Sequence, residues 1–123
     1  MIVGVGVDLL SIARIRRIVL RGSRYSQRFS RRILCDRELA GYQMCTADDL
    51  RTGFLASRWC LKEAVYKAAY PLQILQWDDV CIYKDGPKPL VHVKWNADLA
   101  AARVHVSLSH DDDLLVGYAV VEK

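Results

Sequence analysis

The stretch FLASRWCLKEAVYKA, residues 54–68, decides the fold. Its alanines, leucines and charged residues favour a helix. The same character runs back to Asp48 or Asp49 and forward to Ala69, where Pro71 ends it. Arg58 and Lys62 stand four residues apart, as do Glu63 and Lys67. That spacing has two readings. One is a solvated helix face carrying an i,i+4 ion pair worth a few tenths of a kcal/mol, on the order of 0.3. The other is an anion site in which Glu63 holds a divalent cation while Arg58, Lys62 and Lys67 neutralise phosphates.

On the N-terminal side of this helix, Ile2–Val7 reads as a strand: Ile2, Val3, Val5 and Val7 are β-branched, and Gly4 and Gly6 allow close packing. The strand is expected to end at Asp8, which is then held on a rigid element, either as a ligand or as the cap of the following turn. Ser11 caps a helix through Leu20, with Ile12, Ile15 and Val19 on one face and Arg14, Arg17 and Arg21 on another. Gly22 stops it. A shorter helix covers Tyr25–Ile33, with Phe29 and Ile33 inward and Arg28, Arg31 and Arg32 outward, and another begins near Asp36.

On the C-terminal side the period changes to two. Val80–Lys84 and Leu90–Trp95 alternate around Asp-Gly-Pro-Lys-Pro, a hairpin pattern. Ala97–Ala102 makes a short helix, and Arg103–Ser109 and Leu114–Glu122 are strands joined through His110–Asp113. The class is α+β, with antiparallel sheet packed on one long helix.

With 123 residues, 52% hydrophobic and 26% charged, the chain suits one folded domain, residues 1–123, and is too small for two cores. A domain of this size buries a modest share of its surface, so subunit association is expected. No apolar run nears the roughly 20 residues of a membrane span, and no basic-then-apolar leader is visible. The net charge of +4 is local: residues 1–37 hold nine arginines against Asp8 and Asp36. Such a stripe attracts an anionic partner without choosing among nucleic acid, acidic lipid and acidic protein. Cys35, Cys45, Cys60 and Cys81 show no metal-binding spacing and read as reduced, partly buried thiols of a reducing compartment.

Within VHVSLSH, residues 104–110, His105, Ser107 and Ser109 share one strand face, as a Ser/His nucleophile pair would. No G-x-S-x-G elbow accompanies them, so hydroxyls satisfying neighbouring polar groups are the better account. Asp111, Asp112 and Asp113 lack the alternating spacing of a calcium loop and read as a solvated turn.

Three motifs then combine. GVGVDLLSIARI at residues 4–15, FLASRWCLKEAVYKA at 54–68 and VHVSLSH at 104–110 resemble, in order and spacing, those of the holo-(acyl-carrier-protein) synthases, the short single-copy class of 4′-phosphopantetheinyl transferase. RFSRRILCDREL at residues 28–39 extends the resemblance over nearly the whole chain. It implies transfer of 4′-phosphopantetheine from coenzyme A to a serine of apo-acyl carrier protein, with magnesium, releasing adenosine 3′,5′-bisphosphate. By matching positions, Asp8 and Glu63 are the metal carboxylates and, with Lys67, the catalytic set. Arg58, Lys62, Lys67 and His110 face the coenzyme A phosphates, and Gly86, Lys88 and Pro89 the adenine, although this chain reads Gly-Pro-Lys-Pro, with Pro87 added to the family's Gly-Lys-Pro.

The proton acceptor stays open among Glu63, a metal-bound hydroxide and another carboxylate, with a water positioned by the metal preferred. Arg14 matches a docking position for the acidic carrier protein, with Arg17, Arg21, Arg24 and Arg28 as companions. The resemblance also implies a homotrimer with sites between subunits, a bacterial cytoplasm or mitochondrial matrix, and a place in fatty acid and lipid metabolism, with a polyketide carrier protein as the alternative partner. No nucleic-acid or membrane partner is implied. Two rival readings are a basic nucleic-acid-binding module and a catalytically silent binder of carrier protein or coenzyme A. Against the first, no stacking pattern of aromatics interleaves the arginines.

Overall fold

In the computed structural model, which describes residues 1–85 and 88–123, strand β1 (Ile2–Ser11) lies directly on helix α4 (Asp48–Ala69). A Cβ on Gly4 would sit 1.9 Å from the Ala68 carbonyl oxygen, and one on Gly6 the same distance from that of Ala64. Only glycine permits this approach. The small alanines of α4 match the glycines, and together they bring the strand's side chains onto the helix.

Helices α1 (Ile12–Leu20), α2 (Ser23–Ile33) and α3 (Asp36–Gln43) follow β1 and lead into α4. After it come a 3₁₀ turn at Trp77–Asp79, strands β2 (Val80–Asp85) and β3 (Lys88–Val93), a second 3₁₀ turn at Ala97–Leu99, and strands β4 (Arg103–Asp111) and β5 (Leu114–Glu122). β1, β5 and β4 form an antiparallel sheet in that order, with Asp8 opposite Gly117 and Ser107 opposite Tyr118. Among the described residues, β2 and β3 pair only with each other.

The core divides along α4. Its C-terminal half packs Leu61, Ala64, Val65 and Ala68 against Val80, Ile82, Ala119 and Val121. Its N-terminal half packs Leu55, Ala56 and Cys60 against Ile15, Val19, Ile33 and Tyr42 of the helices before it. Alternation along β1 and β5 turns Gly6, Leu10, Leu115 and Ala119 inward and leaves Val5, Val7, Leu9, Val116 and Tyr118 on an uncovered apolar face. None of the described helices is long and apolar enough to cross a membrane.

Several boundaries differ from the sequence expectation. β1 continues past Asp8 to Ser11, because Leu9 and Leu10 keep the alternation and pair with Val116 and Leu115. Ser11 precedes α1 but its side chain does not cap it. Asp113 does so instead: its Oδ2 accepts from the Ala13 N–H at 3.0 Å and its carbonyl from the Ile12 N–H at 2.8 Å. The acidic turn is thus structural at one of its three positions. The expected helix at Ala97–Ala102 is only the 3₁₀ turn, capped by Asn96 accepting from the Leu99 N–H.

The cysteine expectation also changes. Cys35, at the N-cap of α3, and Cys81, in β2, are joined by a disulfide, while Cys45 and Cys60 are free. Folding brings the two Cα atoms to 5.8 Å across 46 residues of sequence, within disulfide reach, and spacing along the chain carried no sign of it.

Candidate functional site

Inward alternation places Asp8 on the helix side of β1, two residues beyond Gly6 and over the α4 turn that carries Glu63 and Lys67. The Lys67 ammonium donates to Asp8 Oδ1 at 3.1 Å and to the Val7 carbonyl at 3.0 Å. Asp8 is 14% exposed in its side chain and Lys67 48%, so the pair is seated but open to solvent. Burial raises the Glu63 carboxyl above the ordinary carboxylate range, the Asp8 charge adds to this, and Lys67 and Arg14 oppose it. Two carboxylates under mutual repulsion beside an open rim form a hard-oxygen donor set of the kind that takes a divalent cation with retained waters.

Cys60 lies beneath this cluster and donates to the Asp8 carbonyl at 3.4 Å. Burial, reinforced by Asp8, pushes its thiol up to about 12, so it remains protonated and unreactive. Sequence reasoning did not single it out; its place one turn before Glu63 on α4 was the available signal.

Lys62 requires a correction. It was expected at a phosphate, yet its side chain is 1% exposed and its ammonium donates to Glu38 Oε1 at 2.6 Å, Ile33 O at 2.6 Å and Trp77 O at 3.1 Å. All three N–H donors are used internally. Burial pulls the ammonium's pKa down and Glu38 opposes this. The partner, Glu38, is fully buried and also accepts from the Cys35 and Ile82 N–H groups at 2.9 and 3.2 Å. It ties α3, α4 and β2 together, a role that its position in the chain concealed.

Arg58 stands one turn before Lys62 on α4 and faces the same carboxylate. Its guanidinium lies 3.7 Å from the Phe54 ring centroid, donates to Ser57 Oγ, and approaches Glu38 Oε2 at 3.8 Å. Burial lowers its pKa, with Glu38 again opposing, and Arg58 Nε is buried without a hydrogen-bond partner. Arg58 lines a cavity of about 730 Å³ together with Gly53, Phe54, Ile82, Lys88, Pro89 and Ser107. That volume fits a nucleotide-sized ligand.

The cavity therefore gathers Arg58, Lys88 and Pro89 but not Asp8, Glu63 or Lys67. Gly86 and Pro87 lie outside the described residues. His110 sits exposed near the end of β4, opposite Leu115, and joins neither group. His105 makes no nucleophile pair: its Nε2 meets Glu122 Oε1 at 2.9 Å, while Ser107 and Ser109 are exposed beside it. Arg14, Arg17, Arg21, Arg24 and Arg28 are exposed on α1 and α2, with Arg14 over Trp59 and Arg21 over Tyr25.

Residues 4–119 match the 4′-phosphopantetheinyl transferase superfamily. The holo-[acyl-carrier-protein] synthase of Anaeromyxobacter dehalogenans is 34% identical over 127 residues, covering 99% of this chain and 97% of the relative. That of Mycoplasmoides gallisepticum is 31% identical, covering 100% and 99%. Among solved structures, a holo-(acyl-carrier-protein) synthase from Bacillus anthracis in complex with CoA (3′,5′-ADP) superposes with a TM-score of 0.79 at 26% identity, covering 98% of this chain and 96% of that one.

Proposed function

The chain belongs to the 4′-phosphopantetheinyl transferase superfamily, and on that premise we propose that it moves 4′-phosphopantetheine from coenzyme A to a serine of apo-acyl carrier protein, releasing adenosine 3′,5′-bisphosphate. The observation that carries this reading is the Asp8–Lys67 pair beside Glu63, held on a strand and helix in glycine contact. Asp8 and Glu63 fit a magnesium ion, which when bound would offset charge at the phosphorus under attack. Lys67 neutralises and orients Asp8, and a water held beside Asp8 and Glu63 is placed to take the proton of the serine hydroxyl. Arg58 and Lys88 supply cationic partners for the nucleotide phosphates and Pro89 a wall for the adenine. His110 reaches the nucleotide only when the site is completed by other groups.

Those other groups come from a second copy. The carboxylate cluster and the nucleotide cavity lie on different sides of α4, and the apolar face of β1 and β5 is uncovered. A homotrimer built on that face would bury Val5, Val7, Leu9, Val116 and Tyr118 and set one chain's carboxylates against its neighbour's nucleotide cavity. The exposed arginines of α1 and α2 form a cationic edge for an acidic carrier protein.

Mass spectrometry tests the reaction: apo-carrier protein mixed with this chain, coenzyme A and magnesium gains one phosphopantetheine, and an unchanged mass overturns the reading. Assembly is tested by mixing Asp8→Ala with Arg58→Ala protein. Shared sites restore part of the activity that each variant lacks, whereas a fully active monomer by light scattering removes the trimer.

A further inference from the structure

Among the described residues the β2–β3 hairpin pairs with no other strand, although it lines the nucleotide cavity through Ile82, Lys88 and Pro89. A two-stranded hairpin is marginal by itself. This one is anchored by the buried side chains of Val80 and Ile82, by the Ile82 N–H donated to Glu38, and by the Cys35–Cys81 bond. Gly41 of α3 and Met44 and Cys45 just after it also line the cavity, and the N-cap of that helix is Cys35. The disulfide therefore joins two elements that each supply part of the cavity wall, and it flanks the carboxylate that approaches Arg58 at 3.8 Å.

We infer that Cys35 and Cys81 are a reversible oxidation site whose disulfide holds these walls at the spacing that binds coenzyme A, so that oxidation tightens and reduction loosens the nucleotide. The inference rests on the reading of this cavity as the coenzyme A site. Both cysteines are half-buried and within reach of a small reagent. A low-molecular-weight disulfide such as glutathione disulfide is the oxidant. One cysteine thiolate attacks a glutathione sulfur and expels a glutathione thiolate. The second cysteine thiolate then attacks the mixed disulfide at the protein sulfur and expels the other. Two protein thiols lose two protons and two electrons, and one glutathione disulfide becomes two glutathiones.

The bond acts on affinity through preorganisation: an untied hairpin must be ordered when the nucleotide binds, and that cost is removed when the walls are already joined. Glu38 transmits the effect, because it accepts from the N–H of Cys35 and from that of Ile82, the residue after Cys81. A hairpin shift therefore disturbs the carboxylate that faces Arg58. Glu38 Oε and the two sulfurs lie within 4.8 Å of one another, a set that in the reduced protein resembles a metal site. Both Glu38 oxygens, however, already accept hydrogen bonds, Oε1 from the Lys62 ammonium and Oε2 from the Ile82 N–H, and the ammonium opposes a second cation.

The test compares full-length protein equilibrated with glutathione disulfide or with dithiothreitol, the thiol count of each sample being verified by alkylation and mass spectrometry. Coenzyme A affinity is measured by calorimetry and amide exchange is followed over residues 88–93. The oxidised protein binds coenzyme A roughly tenfold more tightly, exchange in β3 slows, and Cys35→Ser/Cys81→Ser protein shows the weaker affinity under both conditions. Reduction of the wild-type chain makes the same comparison without substitution, should the variant fold poorly. Equal, measurable affinity in both verified states overturns the redox tie and leaves the coenzyme A reading standing. Absence of coenzyme A binding in every state overturns both. Zinc added to the reduced protein leaves the affinity low; if zinc restores it as oxidation does, the pair is a metal tie and the redox assignment falls.

Discussion

Lys62 and Lys67 leave the same helix five residues apart, and each meets one carboxylate, Glu38 at 2.6 Å and Asp8 at 3.1 Å. The first pair is sealed: Lys62 spends its remaining donors on two backbone carbonyls, and Glu38 takes two backbone N–H groups. The second is half open, with Lys67 48% exposed and a second carboxyl, Glu63, beside it. The charges are the same in the two pairs. What separates them is whether the polar groups are exhausted within the fold or left with capacity for a ligand, and that depends on the elements packed above each turn of α4.

The comparison is broken hardest by Asp8→Ala. Carrier-protein modification is expected to fall by about 10³-fold or more, with little change in the melting temperature, because an open pair contributes to chemistry rather than to stability. Glu38→Ala should do the reverse. It strands the Lys62 ammonium and the Cys35 and Ile82 N–H groups inside the fold, at a cost of about 3–5 kcal/mol in urea unfolding. If Glu38→Ala unfolds at the wild-type urea midpoint while Asp8→Ala melts early, the assignment of the two pairs is inverted.

Smaller effects sharpen it. Lys67→Gln keeps a donor near Asp8 but removes the charge, and the transfer rate is expected to drop roughly 10- to 100-fold with stability unchanged. The smallest effect is on pH. Folding raises the Glu63 pKa, so the native chain binds more protons than the unfolded chain between the ordinary carboxylate range and the raised value. In chelator, stability therefore declines as pH rises through that window, and Glu63→Gln flattens the decline. A slope that persists unchanged in the variant assigns the titration elsewhere.

The contrast also shows what could be read from residues in order. The long helix from Asp48 to Ala69 and the run of Glu63 and Lys67 on it are local patterns, and the fold keeps both. Asp8 was legible as a candidate because it ends an apolar run, although the strand continues three residues further through pairing with β5. Lys62 was misplaced because its partner lies 24 residues back in α3, where no i,i+4 rule looks. The Cys35–Cys81 bond, the Asp113 cap and the Glu38 hub share that reason: each is made by elements distant in sequence, and none leaves a periodic trace.

The contact of Gly4 and Gly6 with the carbonyls of Ala68 and Ala64 has a consequence for chemistry as well as for packing. Asp8 and Glu63 belong to different elements, so their separation is gauged by the gap between strand and helix rather than by either side chain. The two glycines act as the jaws of a calliper closed to its minimum. A methyl group inserted there, 59 residues from Glu63 at Gly4 or 57 at Gly6, would open the jaws and reset the span available to a shared ion while leaving every charged residue in place. The precision of the site is thus stored in atoms that the glycines lack.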